Sequence, residues 1–384
     1  MRKKWWLFHA TDFQSLMYPC FTIGSIVGAF PYQINDWTFE ISKSRYILST
    51  IVTCIYCISV VIMIYKIDSH IYEIYNIWDN FEIVIKNLES SVYSISCVFI
   101  SIVSHVLCGP RMRLLQTIMK ISSKLSVNTY QKLSKFIHVK DIFGSLFILG
   151  MCHSWIYRMK FKYFLLIFSV YTDILLFQYD MLYMNCVYIL EACFKEINDN
   201  LLHIKKLLVK KERRVLNEFL NHHEQRNLFL IMEIKTLKKQ HLMINNAVQT
   251  LNMIFSFQLL VTVITTLTNI VFELYFNAVQ WHGKVSFNWN ENSYDLFLIS
   301  TSFYIIKIML LVWACETGKT QAQEIGTNIH DVLNSTNDEQ IKNELQLFSL
   351  QILHHKDTRF STKAFNMDAT LFTNVSNQLF TFIN

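Results

Sequence analysis

The chain has 384 residues, of which 52% are hydrophobic and 17% charged, with a formal net charge of +6. Ordinary soluble domains carry about a quarter charged residues, so this composition excludes a typical soluble enzyme or solvated scaffold. The apolar residues gather in blocks of about 20, the helix length that crosses a hydrocarbon layer roughly 30 Å thick, and the sequence predicts an all-α, polytopic membrane helical bundle.

The chain starts with the basic flank Arg2, Lys3 and Lys4, but no apolar core with a small-residue cleavage site follows, so no cleaved leader is expected. Leu16 to Tyr32 is short, bracketed by Pro19 and Pro31, and contains Gly24 and Gly28. It reads as an interfacial or half-buried helix, with a first crossing as the alternative. Spans one and two are Tyr46 to Tyr65 and about Val92 to Leu107. Ile142 to Tyr157 and Tyr163 to about Ala192 form spans three and four, and the short basic turn 158–162 between them allows only an antiparallel hairpin. Spans five and six are about Met253 to Phe276 and about Leu296 to Ala314, and an interrupted apolar stretch, Phe365 to Ile383, closes the chain.

Cysteines occur at 20, 54, 57, 97, 108, 152, 186, 193 and 315, mostly inside apolar runs, which suits buried thiols and not a disulfide frame. Cys54 and Cys57 form a C-x-x-C within the unbroken run Ile47 to Ile64, where a zinc or redox site would lack polar support.

Orientation follows from Lys and Arg, which collect in short cytoplasmic loops. Between spans two and three lie Arg111, Arg113, Lys120, Lys124, Lys132, Lys135 and Lys140, with no acid before Asp141. Between spans four and five, eleven basic residues from Lys195 to Lys239 outnumber the acids. Both loops belong in the cytoplasm and place the N-terminus there, against the weaker signal of Arg158, Lys160 and Lys162. A G-protein-coupled receptor would have the opposite orientation. The segment Lys195 to Asn252 alternates apolar and charged residues at helical spacing, for example Leu201, Ile204 and Leu208. It predicts long amphipathic helices below the membrane whose apolar stripe needs covering, as in an assembly domain. The expected division is 1–45, an N-terminal cytoplasmic segment with an interfacial helix; 46–192, spans one to four; 193–252, the amphipathic helices; 253–316, spans five and six; 317–364, a cytoplasmic anchor-helix region; and 365–384, an incomplete seventh span.

Enzymatic constellations are missing from the sequence. The thirteen histidines show no metal-binding spacing, and the adjacent pairs His222-His223 and His354-His355 point about 100° apart on a helix. Gly318-Lys319-Thr320 lacks the earlier glycine of a phosphate loop, since position 313 is Trp. No catalytic residue, cofactor, metal or nucleic-acid partner is predicted. Of two glycosylation sequons, at Asn334 and Asn374, the first faces the cytoplasm on this topology, and its modification would overturn the topology.

At the C-terminal end, Phe348, Ser349, Gln351, Leu353 and His354 are followed by Phe365 and Asp368 and then by Leu371 and Phe372. This run resembles the signature of the insect gustatory receptors, seven-span chemoreceptors related to insect odorant receptors. In that family an intracellular helix with an F-S-x-Q-L-L-H-like run leads, through a Phe-containing approach ending in Asp, to the last span. Tyr18-Pro19, Gly28 and Phe30-Pro31-Tyr32 resemble the family's N-terminal segment. Thr381 sits where the family has a Thr-Tyr, but the polar residues Asn374, Ser376, Asn377 and Gln378 precede it and the family's final apolar turns do not follow. The expectation is a truncated last helix.

The resemblance implies a tastant-gated nonselective cation channel in the plasma membrane of a chemosensory neuron. It further implies a homo- or hetero-tetramer with other gustatory receptor subunits, in contact with membrane lipid, with a small-molecule pocket in the outer half of the bundle. Candidate lining residues at the outer ends of spans three to six are His153, Trp155, Tyr157, Tyr171, Asp173, Tyr275, Asn277, Tyr294, Asp295, Ser300 and Tyr304. They mix aromatic faces with hydrogen-bonding groups, which suits sugars or small heterocycles. Interfacial anchoring of the aromatics and helix-to-helix bonding of the polar groups is the alternative for each. Asp173 is the sharpest candidate, because a carboxylate within a span costs about 2.5 to 3.5 kcal/mol on insertion scales. Asp180 and Glu273 invite the same argument. An odorant-receptor-type channel, a G-protein-coupled receptor and a transporter are the competing classes; a transporter would show internal repeats or matched broken helices, and the sequence has neither.

Overall fold

A computed structural model describes the backbone at 7–35, 38–74, 81–159, 163–212, 221–281 and 292–354, and side chains at 7–34, 38–65, 88–151, 170–209, 227–275 and 298–354. Among the described residues there are nine helices and one two-stranded sheet. The chain is a helical membrane bundle, as its composition requires.

Helix α1, Phe13–Ile26, starts on a capping box in which the Asp12 side chain accepts from Ser15 N–H and the Ser15 hydroxyl receives the Asp12 N–H. It buries Phe13, Leu16, Met17, Cys20 and Phe21. It packs against the later helices Val127–Met159 and Tyr163–Glu212. Gly28, with φ 76°, then turns the chain back so that Phe30 N–H reaches the Gly24 carbonyl at 3.0 Å. A hairpin not anticipated from the sequence follows: β1, Tyr32–Asn35, pairs antiparallel with β2, Thr38–Ile41, in the register Tyr32 to Ile41. Both strands alternate, Tyr-Gln-Ile-Asn and Thr-Phe-Glu-Ile, a period of two that the helical reading of the preceding segment passed over. Aromatic packing holds the hairpin: Phe30 stacks on Phe21 at 4.3 Å between centroids, and Tyr32 donates to the Cys108 carbonyl at 2.6 Å.

The remaining helices are α2 (Lys43–Ile74), α3 (Phe81–Val106), α4 (Cys108–Ser122), α5 (Val127–Met159), α6 (Tyr163–Glu212), α7 (Asn221–Trp281), α8 (Asn292–Asn334) and α9 (Glu339–His354). Segments of α2, α3, α7 and α8 are long and apolar enough to cross a membrane. Spans three and four, as read from the sequence, fall on α5 and α6. On α2 the outward face carries Ile47, Ile51, Ile55, Ile58 and Ile62, all exposed at helical spacing, and this is the surface a membrane protein offers to lipid. Helix α6 is the axis of the bundle. Every residue from Leu175 to Leu190 is buried, because α4, α5, α7 and α8 pack around it, and its polar members Gln178, Asp180 and Asn185 bond to Cys20, Thr262 and Asp141.

At about 1.5 Å per residue, the helices α6, α7 and α8 measure roughly 75, 90 and 65 Å, far more than a bilayer needs. Their extensions form a second layer at the basic end. The stripe Leu201, Ile204 and Leu208 of α6 and Leu230, Ile234 and Leu237 of α7 are buried in one continuous core with Ile325 and Ile329 of α8 and Ile341, Leu345 and Phe348 of α9. Much of the amphipathic face is therefore covered by this chain itself. Asn328 donates to Asn198 at 2.9 Å, and Lys238 reaches Glu344 at 3.0 Å.

The basic stretch after span two is not a solvated loop. Its Leu114, Leu115, Ile118 and Met119 are buried on α4, and Arg111 is only 2% exposed. The Arg111 guanidinium lies 5.1 Å from the Tyr179 ring centroid and 4.9 Å from that of Phe255, and donates to Ser104 and Gln258, each at 3.3 Å. Stacking between two rings is available to a planar, weakly hydrated guanidinium and not to a lysine.

Candidate functional site

Five helices line a narrow cleft. Helix α3 brings Tyr93, Cys97 and Ile100, at i, i+4 and i+7; α6 brings Asp173, Leu176 and Phe177; α7 brings Thr262, Thr265, Thr266 and Asn269; α8 brings Phe303, Tyr304 and Lys307; and α5 adds Met151. Each set falls on a single face of its helix, so the cleft is a consequence of helical periodicity in four long elements.

Every acid read as anomalous inside a span has a partner. The Tyr93 hydroxyl donates to Asp173. Asp180 accepts the Thr262 hydroxyl at 3.2 Å on one oxygen and faces the Lys307 ammonium at 3.1 Å on the other. Glu273 accepts from Ser300 at 3.0 Å. The Lys307 and Asp180 side chains are 10% and 2% exposed, so the pair is buried, with Lys307 lining the cleft. Asp173, Glu273 and Glu89 act electrostatically on Tyr304 above it.

The aromatic side of the cleft is fixed by close packing. Phe303 stacks on Phe147 at 5.7 Å and meets Phe177 at 6.3 Å. Phe177 in turn lies directly over Gly144 of α5, where an added Cβ would sit 2.2 Å from its Cζ. Only a glycine lets α5 and α6 approach this closely.

Of the candidate lining residues, Asp173 and Tyr304 line the cleft. Ser300 is buried beside Glu273 on the adjoining turns. Tyr171 points elsewhere: its hydroxyl donates to the Val27 carbonyl at 3.1 Å and its ring meets Tyr56 at 5.6 Å, so it ties α6 to the end of α1. Tyr275 is half-buried on α7 and does not line the cleft. The side chains of His153, Trp155, Tyr157, Asn277, Tyr294 and Asp295 lie outside the described residues, as do Phe365, Asp368 and Thr381 of the C-terminal motif and the sequon at Asn374. Sequence reasoning missed Tyr93, Lys307 and the α7 row from Thr262 to Asn269. Lys307 carried the same signal as Asp173, a charge within a span, and the α7 row carried spacings of three and four.

The C-terminal signature has a structural role at the other end of the molecule. Phe348 is fully buried with its ring edge-on to His241 at 5.5 Å, and Gln351 donates to the Lys238 carbonyl at 3.0 Å and to His241 Nδ1 at 3.2 Å. Ser349 is half-buried, while Leu353 and His354 are exposed.

A multi-pass helical membrane bundle with a cleft enclosed among its spans is the architecture of a membrane receptor. The sequence model of the 7tm Chemosensory receptor family matches residues 17–383, and the chain belongs to that family. The family is one of insect receptors and not of enzymes. A putative gustatory receptor 28b of Drosophila melanogaster is 29% identical over 149 residues, a match that covers 37% of this chain and 31% of that relative's length. The fold is similar to that of the insect olfactory receptor OR5 from Machilis hrabei, with a TM-score of 0.70, 9% identity and 96% coverage of each chain. The structure of OR5 in complex with eugenol gives a TM-score of 0.68 at the same identity and coverage.

Proposed function

We infer that this chain is a subunit of a ligand-gated, nonselective cation channel opened by a small-molecule tastant. The observation that carries this reading is the cleft, which joins aromatic surface to hydrogen-bonding groups within the spans, the mixture of surfaces that small-molecule sites use. The family, and the likeness to a gustatory receptor over part of the chain, support the sensory role. On the charge distribution the basic end lies in the cytoplasm and the cleft in the outer half of the membrane. The working unit is a homo- or hetero-tetramer with related subunits, in the plasma membrane of a chemosensory neuron.

Spatial continuity suggests how the signal travels. A ligand in the cleft would touch α8 through Phe303, Tyr304 and Lys307, and α8 runs on to Asn334 before α9 docks on α7 through Phe348 and Gln351. Helix α9 immediately precedes the last expected span, so a small rotation of α8 has a rigid route to it. An odorant-receptor-type subunit is the second reading, favoured by the apolar rings on one side of the cleft. Whole-cell recording from heterologous cells expressing the chain, alone and with family partners, during application of sugars, bitter compounds, nucleosides and volatile odorants tests both. Evoked cation current supports a channel and the effective class chooses the reading; a response that requires G-protein signalling and carries no direct current rejects it.

A further inference from the structure

We propose that the corner between α4 and α5 binds the headgroup of an anionic phospholipid, with the exposed face of α5 against the acyl chains of the same molecule. Five cations gather at this corner. Arg113 and Lys120 share one exposed face of α4 at i and i+7, Lys124 lies in the link, and Lys132 and Lys135 are exposed near the start of α5. The Tyr130 hydroxyl donates to the Ser122 carbonyl at 2.7 Å, which holds the first turn of α5 against the end of α4 and keeps the cations together. No Asp or Glu occurs from Cys108 to Lys140, and among the described residues none of the five takes part in a salt bridge. Other lysines at this end of the molecule are neutralised by the chain itself: Lys205 by Asp331, Lys235 and Lys238 by Glu344, and Lys319 by Glu316. Asp12, whose charge reaches Tyr130, caps α1, and Asp141 is held by Lys140 and Asn185. The corner therefore keeps its positive charge for an anion from outside the chain.

The position of the lysines selects a lipid over a soluble anion. On α5, Lys132, Lys135, Val139, Phe143 and Leu146 fall at i, i+3, i+7, i+11 and i+14, a single helix face, and all five are exposed. Val139, Phe143 and Leu146 are 53%, 67% and 61% exposed, as apolar side chains that meet acyl chains are. At about 1.5 Å per residue, Lys135 and Lys132 stand roughly 6 and 10 Å before Val139 along the axis. The headgroup layer adds about 5 to 8 Å on each side of the hydrocarbon, so the two lysines lie in it and at its outer edge. One face thus offers ammonium groups to a phosphate and apolar side chains to the tails attached to it.

The test is native mass spectrometry of the full chain in detergent, titrated with phosphatidylserine, with phosphatidylcholine, and with glycerophosphoserine, which is the headgroup without tails. The expected result is phosphatidylserine bound at least about tenfold more tightly than phosphatidylcholine, and no displacement by glycerophosphoserine. Lys132→Gln with Lys135→Gln should lower phosphatidylserine affinity at least about tenfold, at roughly fivefold for each cation removed, and leave phosphatidylcholine unchanged. Lys132→Arg with Lys135→Arg should keep native affinity. Lys205→Gln with Lys235→Gln, the same change of charge at lysines that are already paired, should have no effect. Added phosphatidylserine should raise the unfolding midpoint of the native chain and not that of the double Gln variant. Equal affinity for the two lipids, or an equal loss in the paired-lysine control, overturns the proposal; displacement by glycerophosphoserine as effective as by the intact lipid makes the corner a soluble-anion site and overturns it as well.

Discussion

The amide of Gln351 donates to Nδ1 of His241 across 3.2 Å, joining the helix that carries the C-terminal signature to the long helix α7. The contact gives the signature a physical meaning. Gln351 also bonds the Lys238 carbonyl, and Phe348, fully buried, covers the imidazole, so the motif is the dock that positions whatever follows α9.

Phe348→Ala should therefore cost about 3–5 kcal/mol, the usual result of emptying an aromatic site in a packed core, and Gln351→Ala about 1–2 kcal/mol. Thermal unfolding of detergent-solubilised protein followed by size-exclusion fluorescence reads both. A Phe348→Ala protein as stable as the native one would mean that α9 does not dock.

The Lys307 and Asp180 pair should show strong non-additivity. Removing one partner leaves a buried charge, so Lys307→Met or Asp180→Leu alone should cost about 3–5 kcal/mol, while the double variant recovers most of the loss. Unfolding midpoints of the two single variants and the double complete the cycle; additive losses would show that the pair does not interact.

His138 ties the N-terminal segment to α5 and makes that tie sensitive to pH. Its Nδ1 accepts the Phe8 N–H at 3.2 Å, while Nε2 lies 3.2 and 3.0 Å from the Ser15 and Leu16 carbonyls, an arrangement that needs the neutral ring with its proton on Nε2. Phe8 itself is held at φ 65°. Burial lowers the His138 pKa below the usual 6.5, outweighing the Leu16 and Ser15 carbonyls and the Asp141 charge, which raise it. The released state then binds the proton more readily, so docking is strongest above about pH 7, weakens as pH falls below about 6.5, and levels off below the folded-state pKa. Unfolding midpoints at pH 5.5 and 7.5 should differ in the native chain, and the part of that difference due to His138 should vanish in His138→Leu.

Gly144→Ala should act on the cleft from outside it. The new methyl would collide with Phe177, whose ring end lies 2.2 Å from the ideal Cβ, and overpacking of this kind costs about 1–3 kcal/mol. Displacement of the ring into the cleft should lower agonist affinity more than a lipid-facing control such as Ile305→Ala, at a residue 39% exposed. Equal affinities in a binding titration would mean that the helices separate instead and leave the cleft unchanged.

Much of the architecture was readable because hydrophobic block length is set by the bilayer and not by tertiary contacts: Tyr46 to Tyr65 and Leu296 to Ala314 fall within helices α2 and α8. Asp173 stood out for the same reason, since few carboxylates are tolerated in an apolar run. Arg111 was read as part of a cytoplasmic loop with the other basic residues up to Lys140, and its burial depends on Tyr179 and Phe255, which are distant in sequence. Tyr171 and Asp173 are two residues apart on one helix, yet only Asp173 enters the cleft. That choice is made by the rotation of α6 against α3 and α8, which no local pattern encodes. The hairpin at Tyr32 was missed although Tyr32 to Asn35 and Thr38 to Ile41 both alternate; two such short strands draw the eye less than the apolar run before them, and aromatic packing adds to their stability.

The central claim is that ligand in the cleft controls the receptor, and the most direct measurement is the concentration of agonist giving half-maximal cation current in Asp173→Asn and Thr266→Val, with Ile305→Ala as the lipid-facing control and surface expression matched. The account predicts a shift of at least about tenfold to higher concentration in both cleft variants, the size expected for losing one well-placed hydrogen bond, and no shift in the control. Native-like responses in both cleft variants would contradict it and place the agonist site elsewhere in the bundle.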